Sequence, residues 1–262
     1  ASSLAEPRLT QDIDAPPFDG CRILIADDNV VNLEVVVHML KKLGCQTDVA
    51  ANGRIAVAMA GAQKYDLILM DCQMPDLDGY QATAAIRTIE AATVRTPIIA
   101  LTAHALQGER EKCMTSGMDD FLSKPIRPPV LRDMLARWLT PASSAPAHAE
   151  AAQSDDELES IQELLGDNFA ELAALFQNDS AKRRGELHDA ASRRDAAEAS
   201  RIAHALSGST ASIGAHTLAA LYKKLEMQAT TGSLDDIEAR LAAIDAEYAR
   251  IDAKLRQMMQ TA

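Results

Sequence analysis

Short apolar runs alternate with helical patterns over the first half of the chain. Ile23-Leu24-Ile25-Ala26, Leu67-Ile68-Leu69-Met70 and Ile98-Ile99-Ala100-Leu101 are continuous, while Gln46 to Ala50 and Asp119 to Leu122 are weaker strand candidates. Continuous rather than alternating apolarity marks strands covered on both faces, as in a parallel sheet. Between the runs, Leu33, Val37 and Leu40, and later Leu131, Met134, Leu135 and Trp138, step at the spacing of one apolar helical face. Five such strand and helix units predict an α/β domain over residues 21–139, with a doubly wound, five-stranded parallel sheet.

The pattern then changes. Residues 140–154, TPASSAPAHAEAAQS, are rich in Pro, Ala and Ser, have no apolar period and read as a linker. Beyond it the strand signals stop. Phe169, Leu172 and Phe176 fit one helix, and Leu218, Leu221, Tyr222 and Leu225 another. Leu234, Ile237, Leu241, Ile244, Tyr248, Ile251 and Leu255 step by three and four, the seam of a long helix in a bundle. Residues 155–260 are therefore expected to form a second, all-α domain. The last seam could also dimerise as a coiled coil, but with other amphipathic helices in the chain packing within one molecule is the expectation.

Composition narrows the function classes. The 262 residues hold 26 Lys and Arg against 38 Asp and Glu, a formal net charge of −12, so the average field repels nucleic acid and direct binding to it is not expected. No apolar run reaches the roughly 18 to 20 residues of a membrane helix. The fragment is thus expected to be cytoplasmic, without direct membrane insertion. Cys21, Cys45, Cys72 and Cys113 form no CxxC pair and read as reduced thiols. Residues 1–20 look like a linker, with more chain expected before them.

Ligands of a parallel sheet bind beyond the carboxyl ends of its strands, where strand order reverses. Those ends carry Asp27-Asp28, Asp71, Thr102 and Lys124-Pro125. Three carboxylates brought together repel one another and call for a cation, and oxygen ligands with open positions suit Mg²⁺. Lys124 and Thr102 add a positive charge and a hydroxyl donor. The chemistry this suggests is attack by one aspartate on phosphorus to give an acyl phosphate. Each residue has an ordinary alternative, since Asp also caps helices, Asp78-Gly79 also makes turns and Lys-Pro also sits in loops. Strand ends that match in this order favour the functional reading.

In the second half, RIAHALSGSTASIG (201–214) raises a separate question. At about 100° per residue, Ile202, Leu206, Ser209 and Ile213 share a narrow stripe and His204 lies opposite, beside Ser200, Ser207, Gly208 and Ala211. This argues against a core histidine and for an imidazole in a low surface patch. Gly208, one turn on, costs a helix about 1 kcal/mol relative to alanine and would let a partner's backbone or a phosphoryl group approach the ring. Helical position alone favours an exposed histidine with no role. His38, His104, His148 and His188 read as structural or exposed, and His216 lies off its helix's apolar stripe.

Residues 21–139 resemble a receiver domain of the response-regulator family, on ILIADDN, DLILMDCQMPDLDGY, IIALTAHA and FLSKP. The resemblance implies a flavodoxin-like fold with Asp71 as phosphoacceptor. It also implies Mg²⁺ held by Asp28, Asp71 and the backbone carbonyl of Gln73, with Asp27 holding a metal-bound water. Thr102 and Lys124 would contact the phosphoryl oxygens, Lys124-Pro125 would be cis, and Phe121 would be the aromatic switch that moves with Thr102. Residues 155–260 resemble a histidine-containing phosphotransfer domain, a four-helix bundle, on AHALSGSTASIGAHTLAALYKKLE. There His204 would carry the phosphoryl group, with Leu206, Gly208, Gly214 and Glu226 at motif positions. One departure is that Ser207 stands where a lysine is usual, which leaves Arg201, Lys223 or Lys224 as candidates for the missing charge.

The pairing resembles the C-terminal part of a hybrid sensor histidine kinase. It implies an upstream kinase histidine, in the same polypeptide and anchored in the inner membrane, as donor to Asp71, and a downstream response-regulator receiver as acceptor from His204. No ATP lid or kinase histidine box is read in these residues, so phosphotransfer between Asp and His would be the fragment's own chemistry. Two other readings stand beside it: a docking module whose bundle dimerises, and a metal-dependent phosphatase of similar topology, for which no substrate cap is seen.

Overall fold

A computed structural model describes residues 17–90, 95–103, 107–139 and 157–261. Strands β1 (Arg22–Ala26), β2 (Gln46–Ala50), β3 (Leu67–Asp71), β4 (Ile98–Thr102) and β5 (Asp120–Ser123) alternate with helices α1 (Val30–Lys42), α2 (Gly53–Ala62), α3 (Gly79–Ile89), α4 (Gln107–Thr115) and α5 (Pro128–Leu139). The sheet runs β2-β1-β3-β4-β5, with every neighbouring pair parallel. Strand order reverses beside β1, which places a crevice between the ends of β1 and β3.

The continuous apolar runs follow from burial on both faces. Ile23, Ile25, Leu67, Leu69, Ile99 and Leu101 pack with α1 and α5, whereas Leu24, Ala26, Ile68, Met70, Ile98 and Ala100 pack with α2, α3 and α4. Because successive side chains point to opposite faces, each strand supplies both layers and has no polar side to show.

The second half holds α6 (Leu158–Leu165), a 3-10 turn (Gly166–Asn168), α7 (Phe169–Ser192), α8 (Ala196–Ser212), α9 (His216–Thr230) and α10 (Ile237–Thr261). Helix α7 packs on α8, α8 on α9, α9 on α10 and α10 on α7, which closes a four-helix bundle. Leu241, Ile244, Tyr248, Ile251 and Leu255 of α10 are buried within this chain. Leu234 belongs to that buried seam but precedes the helix, because Asp236 takes a left-handed φ of 55° and interrupts it. The short α6 was not expected from the sequence. Gly214 ends α8 at φ 85°, and a Cβ there would lie 2.7 Å from the Glu157 carbonyl carbon, so only glycine lets the chain before α6 close on this turn.

The two halves pack together through α1, which lies against α7 and α8. The Asn29 side chain donates to the Ala205 carbonyl at 3.0 Å, and the Ser212 hydroxyl donates to Asn32 Oδ1 at 2.7 Å. The His38 ring lies 3.0 Å from the Leu164 carbonyl, which Lys42 also reaches.

Candidate functional site

The carboxyl ends of β1, β3, β4 and β5 converge. Asp27 is 1% exposed; its Oδ1 accepts the Asn29 amide at 2.9 Å and its Oδ2 accepts Lys124 Nζ at 2.8 Å, while Asn32 donates to both oxygens at 3.3 Å. Asp71 is 4% exposed, with Oδ2 at 2.8 Å from Lys124 Nζ and Oδ1 accepting the Gln73 amide at 3.2 Å. Asp28 is half-buried beside them. Asp27, Asp28 and Asp71 each offer an oxygen within 4.8 Å of the others.

Three carboxylates face one ammonium, and the imbalance shows in their proton affinities. Burial pushes Asp71 up to about 7, outweighing the pull of Lys124 in the other direction. Burial first, and then Asp27, raise Asp28, against the lowering influence of Lys124, Arg183 and His204. Burial alone would lower Lys124, but Asp27 and Asp71 hold it above its ordinary value. The donor set fits a divalent cation: all oxygen, with a deficit of two positive charges.

The other residues singled out in this half fall around the same rim. Thr102 is buried at the end of β4, and its carbonyl accepts the Lys124 amide at 2.8 Å. The Lys124-Pro125 peptide is cis, and Pro125 lines the crevice. Phe121 is half-buried, with the Arg110 guanidinium 5.6 Å from its ring centroid. Asp78 is the N-cap of α3, accepting the Gln81 amide at 2.8 Å. A Cβ on Gly79 would sit 2.0 Å from the Asp71 carbonyl oxygen, so this glycine lets α3 start directly against the end of β3.

Across the interface, His204 lies on the face of α8 opposite Ile202 and Leu206, as its helical position requires. That face is not open surface. Asp28, Asp71, Lys124, His204, Gly208 and Lys223 line one cavity of about 330 Å³ between the halves. A Cβ on Gly208 would stand 3.5 Å from Asn32 Nδ2, an ordinary contact, so the small residues of α8 are where α1 approaches. A helical wheel shows which face a bundle leaves uncovered but not that another domain of the same chain covers it.

The imidazole is held by its Nδ1, 3.1 Å from Glu226 Oε1. Burial would raise Glu226, but His204 and Lys223 together bring it below its ordinary value, so it is a carboxylate that can only accept. Nδ1 therefore carries a proton, and in the neutral ring the lone pair is on Nε2. Glu226 appeared in the sequence only as a motif position; its role depends on α9 lying beside α8, which spacing within one helix does not reveal.

The remaining candidates separate clearly. Ser207 donates to the Ala219 carbonyl at 3.1 Å, and Arg201 is paired with Glu198 on its own helix at 2.6 Å. Lys224 faces a different groove, near Asp236 and Arg240, whereas Lys223 lines the cavity. His188 is 3.1 Å from Asp245, His216 is 3.6 Å from Glu157, and His104 and His148 lie outside the described residues.

Comparison with known proteins agrees with this division. Residues 23–136 match the response regulator receiver domain and residues 171–254 match the Hpt domain. The chain is therefore a receiver domain followed by a histidine phosphotransfer domain, the paired modules of phosphorelay signalling. Among its relatives, the sensor protein GacS of Pseudomonas syringae pv. syringae is 40% identical over 150 residues, covering 56% of this chain and 16% of that protein. The hybrid signal transduction protein dokA of Dictyostelium discoideum is 44% identical over 117 residues, 45% of this chain and 7% of that protein. The chain thus spans about a sixth or less of the length of these relatives. The receiver domain of the sensor histidine kinase PA1611 from Pseudomonas aeruginosa PAO1, whose crystal structure has a magnesium ion in the active site cleft, is 50% identical. It covers 46% of this chain and 98% of its own, with a TM-score of 0.43.

Among the described residues no helix is long and apolar enough to cross a membrane.

Proposed function

We propose that this chain passes a phosphoryl group from Asp71 to His204 within one molecule, as the middle steps of a phosphorelay. The observation that carries the reading is the single cavity walled by Asp71 on one side and His204 on the other.

In the first step an Asp71 carboxylate oxygen attacks the phosphorus of a phosphohistidine on an upstream kinase core; the O–P bond forms and the kinase's N–P bond breaks. Asp28, Asp71 and the Gln73 carbonyl would hold Mg²⁺, with Asp27 beside it. Bound there, the ion supplies positive charge against the transferred group. Lys124 and Thr102 contact the phosphoryl oxygens. In the second step His204 Nε2 attacks the same phosphorus, and the Asp71 carboxylate leaves with the electron pair. The ring becomes a phosphoimidazolium whose Nδ1 proton stays hydrogen-bonded to Glu226. From His204 the group leaves for the receiver domain of a separate response regulator, and both steps are reversible. The upstream core belongs to the same, longer polypeptide, a membrane-anchored hybrid kinase. Phe121 moves with Thr102 as the receiver loads.

The test uses Mg²⁺ and a small labelled acyl-phosphate donor. Wild-type chain should carry label first on Asp71 and then on His204, at a rate independent of chain concentration. Asp71→Asn should take none, and His204→Gln should keep it on Asp71. Acid and base stability distinguish the two adducts. Label that never leaves Asp71 in the wild type would refute the relay and favour a docking role for the bundle.

A further inference from the structure

Transfer to His204 brings a group of about −2 charge into a cavity whose receiver wall already has three carboxylates against one ammonium. Something on the histidine side must balance it. Once the group is on His204, Asp71 is a carboxylate again and Lys124 is back on it and on Asp27, the pairs seen at 2.8 Å each. Arg201 is held by Glu198 on its own helix, and Arg183 by Asp179 at 2.8 Å. His216 is charged only when protonated and lies against Glu157. Ser207 is neutral and engaged with the Ala219 carbonyl.

Lys223 is placed differently. It lines the cavity from α9, and its ammonium donates to Glu226 Oε1 at 3.0 Å and to Oε2 at 2.8 Å. The same Oε1 accepts from His204 Nδ1 at 3.1 Å. One carboxylate therefore bridges the imidazole and a cation on a flexible four-carbon stem. When Nε2 takes the phosphoryl group the ring becomes cationic and takes over the Glu226 charge, which releases the ammonium.

Resting on the relay reading above, we propose that Lys223, on the helix next to the histidine, is the catalytic cation that moves from Glu226 to the phosphoryl oxygens on His204. It substitutes there for a charge that Ser207 cannot supply.

The experiment measures how label divides between Asp71 and His204 at equilibrium in the full chain, for wild type, Lys223→Gln, Lys223→Arg, and Lys223→Gln combined with Ser207→Lys. Lys223→Gln should lower the His204 to Asp71 ratio about tenfold, as expected for loss of a hydrogen bond between charged groups. Lys223→Arg should stay within about threefold of wild type. Ser207→Lys should restore most of the loss, because it returns a charge to the same cavity from α8. An unchanged ratio in Lys223→Gln overturns the proposal. So does a loss that neither the arginine variant nor Ser207→Lys repairs, which would mean that Lys223 only props up Glu226. Label missing from His204 in the wild type would instead overturn the relay reading and this proposal with it.

Discussion

The two sites proposed to carry the phosphoryl group are built on opposite plans. Asp71 is fixed by four strand ends, is 4% exposed and sits in a frame of Asp27, Asp28 and Lys124 from sequence-distant segments. His204 stands on one helix, with a quarter of its side chain exposed and one carboxylate from the next helix as its support. The first site has excess negative charge, which the proposed Mg²⁺ would offset. The second has an imidazole whose Nδ1 proton is already directed at Glu226. A charge-imbalanced site facing an oriented imidazole is a sensible arrangement for the proposed move from acyl phosphate to imidazole.

Metal removal should separate the sites most sharply. Chelation is expected to slow acyl-phosphate labelling of Asp71 by at least about a hundredfold, because two of the site's three negative charges would go unmatched. Phosphohistidine on an Asp71→Asn chain, loaded from a wild-type chain and then freed of it so that the group cannot return to Asp71, should decay at the same rate with or without chelator. Filter-bound label followed over time reads both rates, and equal sensitivity at the two sites would break the contrast.

Next in size is Glu226. Glu226→Ala removes the acceptor of the Nδ1 proton, so the ring can present either nitrogen, and transfer to His204 should fall about tenfold to a hundredfold at neutral pH. Labelling of Asp71 should not change. Nitrogen chemical shifts of the His204 ring, which report the tautomer, would show the loss of Nδ1 protonation; an unchanged tautomer would refute the role given to Glu226.

These two sites also differ in how far a sequence can announce them. The strand ends could be read because each run finishes in a chemically unusual residue, and a parallel sheet brings such ends to one rim whatever the loop details. Both the five-stranded sheet and the helical second half follow from that periodicity. The orientation of His204 was equally readable, since 3.6-residue periodicity determines it. Its neighbourhood was not. Whether Lys223 or Lys224 faces the ring depends on the rotation of α9 against α8, and the cover over the patch depends on α1, some 170 residues earlier: Asn29 reaches Ala205 across a separation of 176. Contacts at that range leave no local pattern. Gly208 was the one sequence signal of close approach, though it did not identify what approaches.

That glycine gives a third, smaller prediction. An Ala at 208 would fit 3.5 Å from Asn32 Nδ2, but Leu would push α1 away from α8. Gly208→Leu should leave Asp71 labelling intact and slow transfer to His204 severalfold, with a dependence on chain concentration as molecules begin to serve one another. Gly208→Ala should resemble wild type. If Gly208→Leu transfers at the wild-type, concentration-independent rate, the packing of α1 on α8 is not the arrangement that transfers.

The smallest effect should come from pH, through the far end of the same interface. Burial depresses the His38 pKa below its ordinary value, Lys42 and Lys41 push the same way, and the Leu164 carbonyl and Glu34 oppose them. With burial, the largest cause, taken as what docking adds, His38 binds fewer protons docked than free, so acid favours separation. Its contribution is fully present above the ordinary histidine pKa of about 6.5 and is lost as pH falls below that value. Small-angle scattering or a fluorescence pair spanning the two domains should therefore show a modest opening between about pH 7.5 and pH 5.5. Burial raises Asp28 and pushes Asp71 up to about 7, so the decisive quantity is the difference from His38→Gln, which keeps a donor for the Leu164 carbonyl but cannot take up the proton. A pH response identical in both chains would assign the opening to the carboxylate rim rather than to His38.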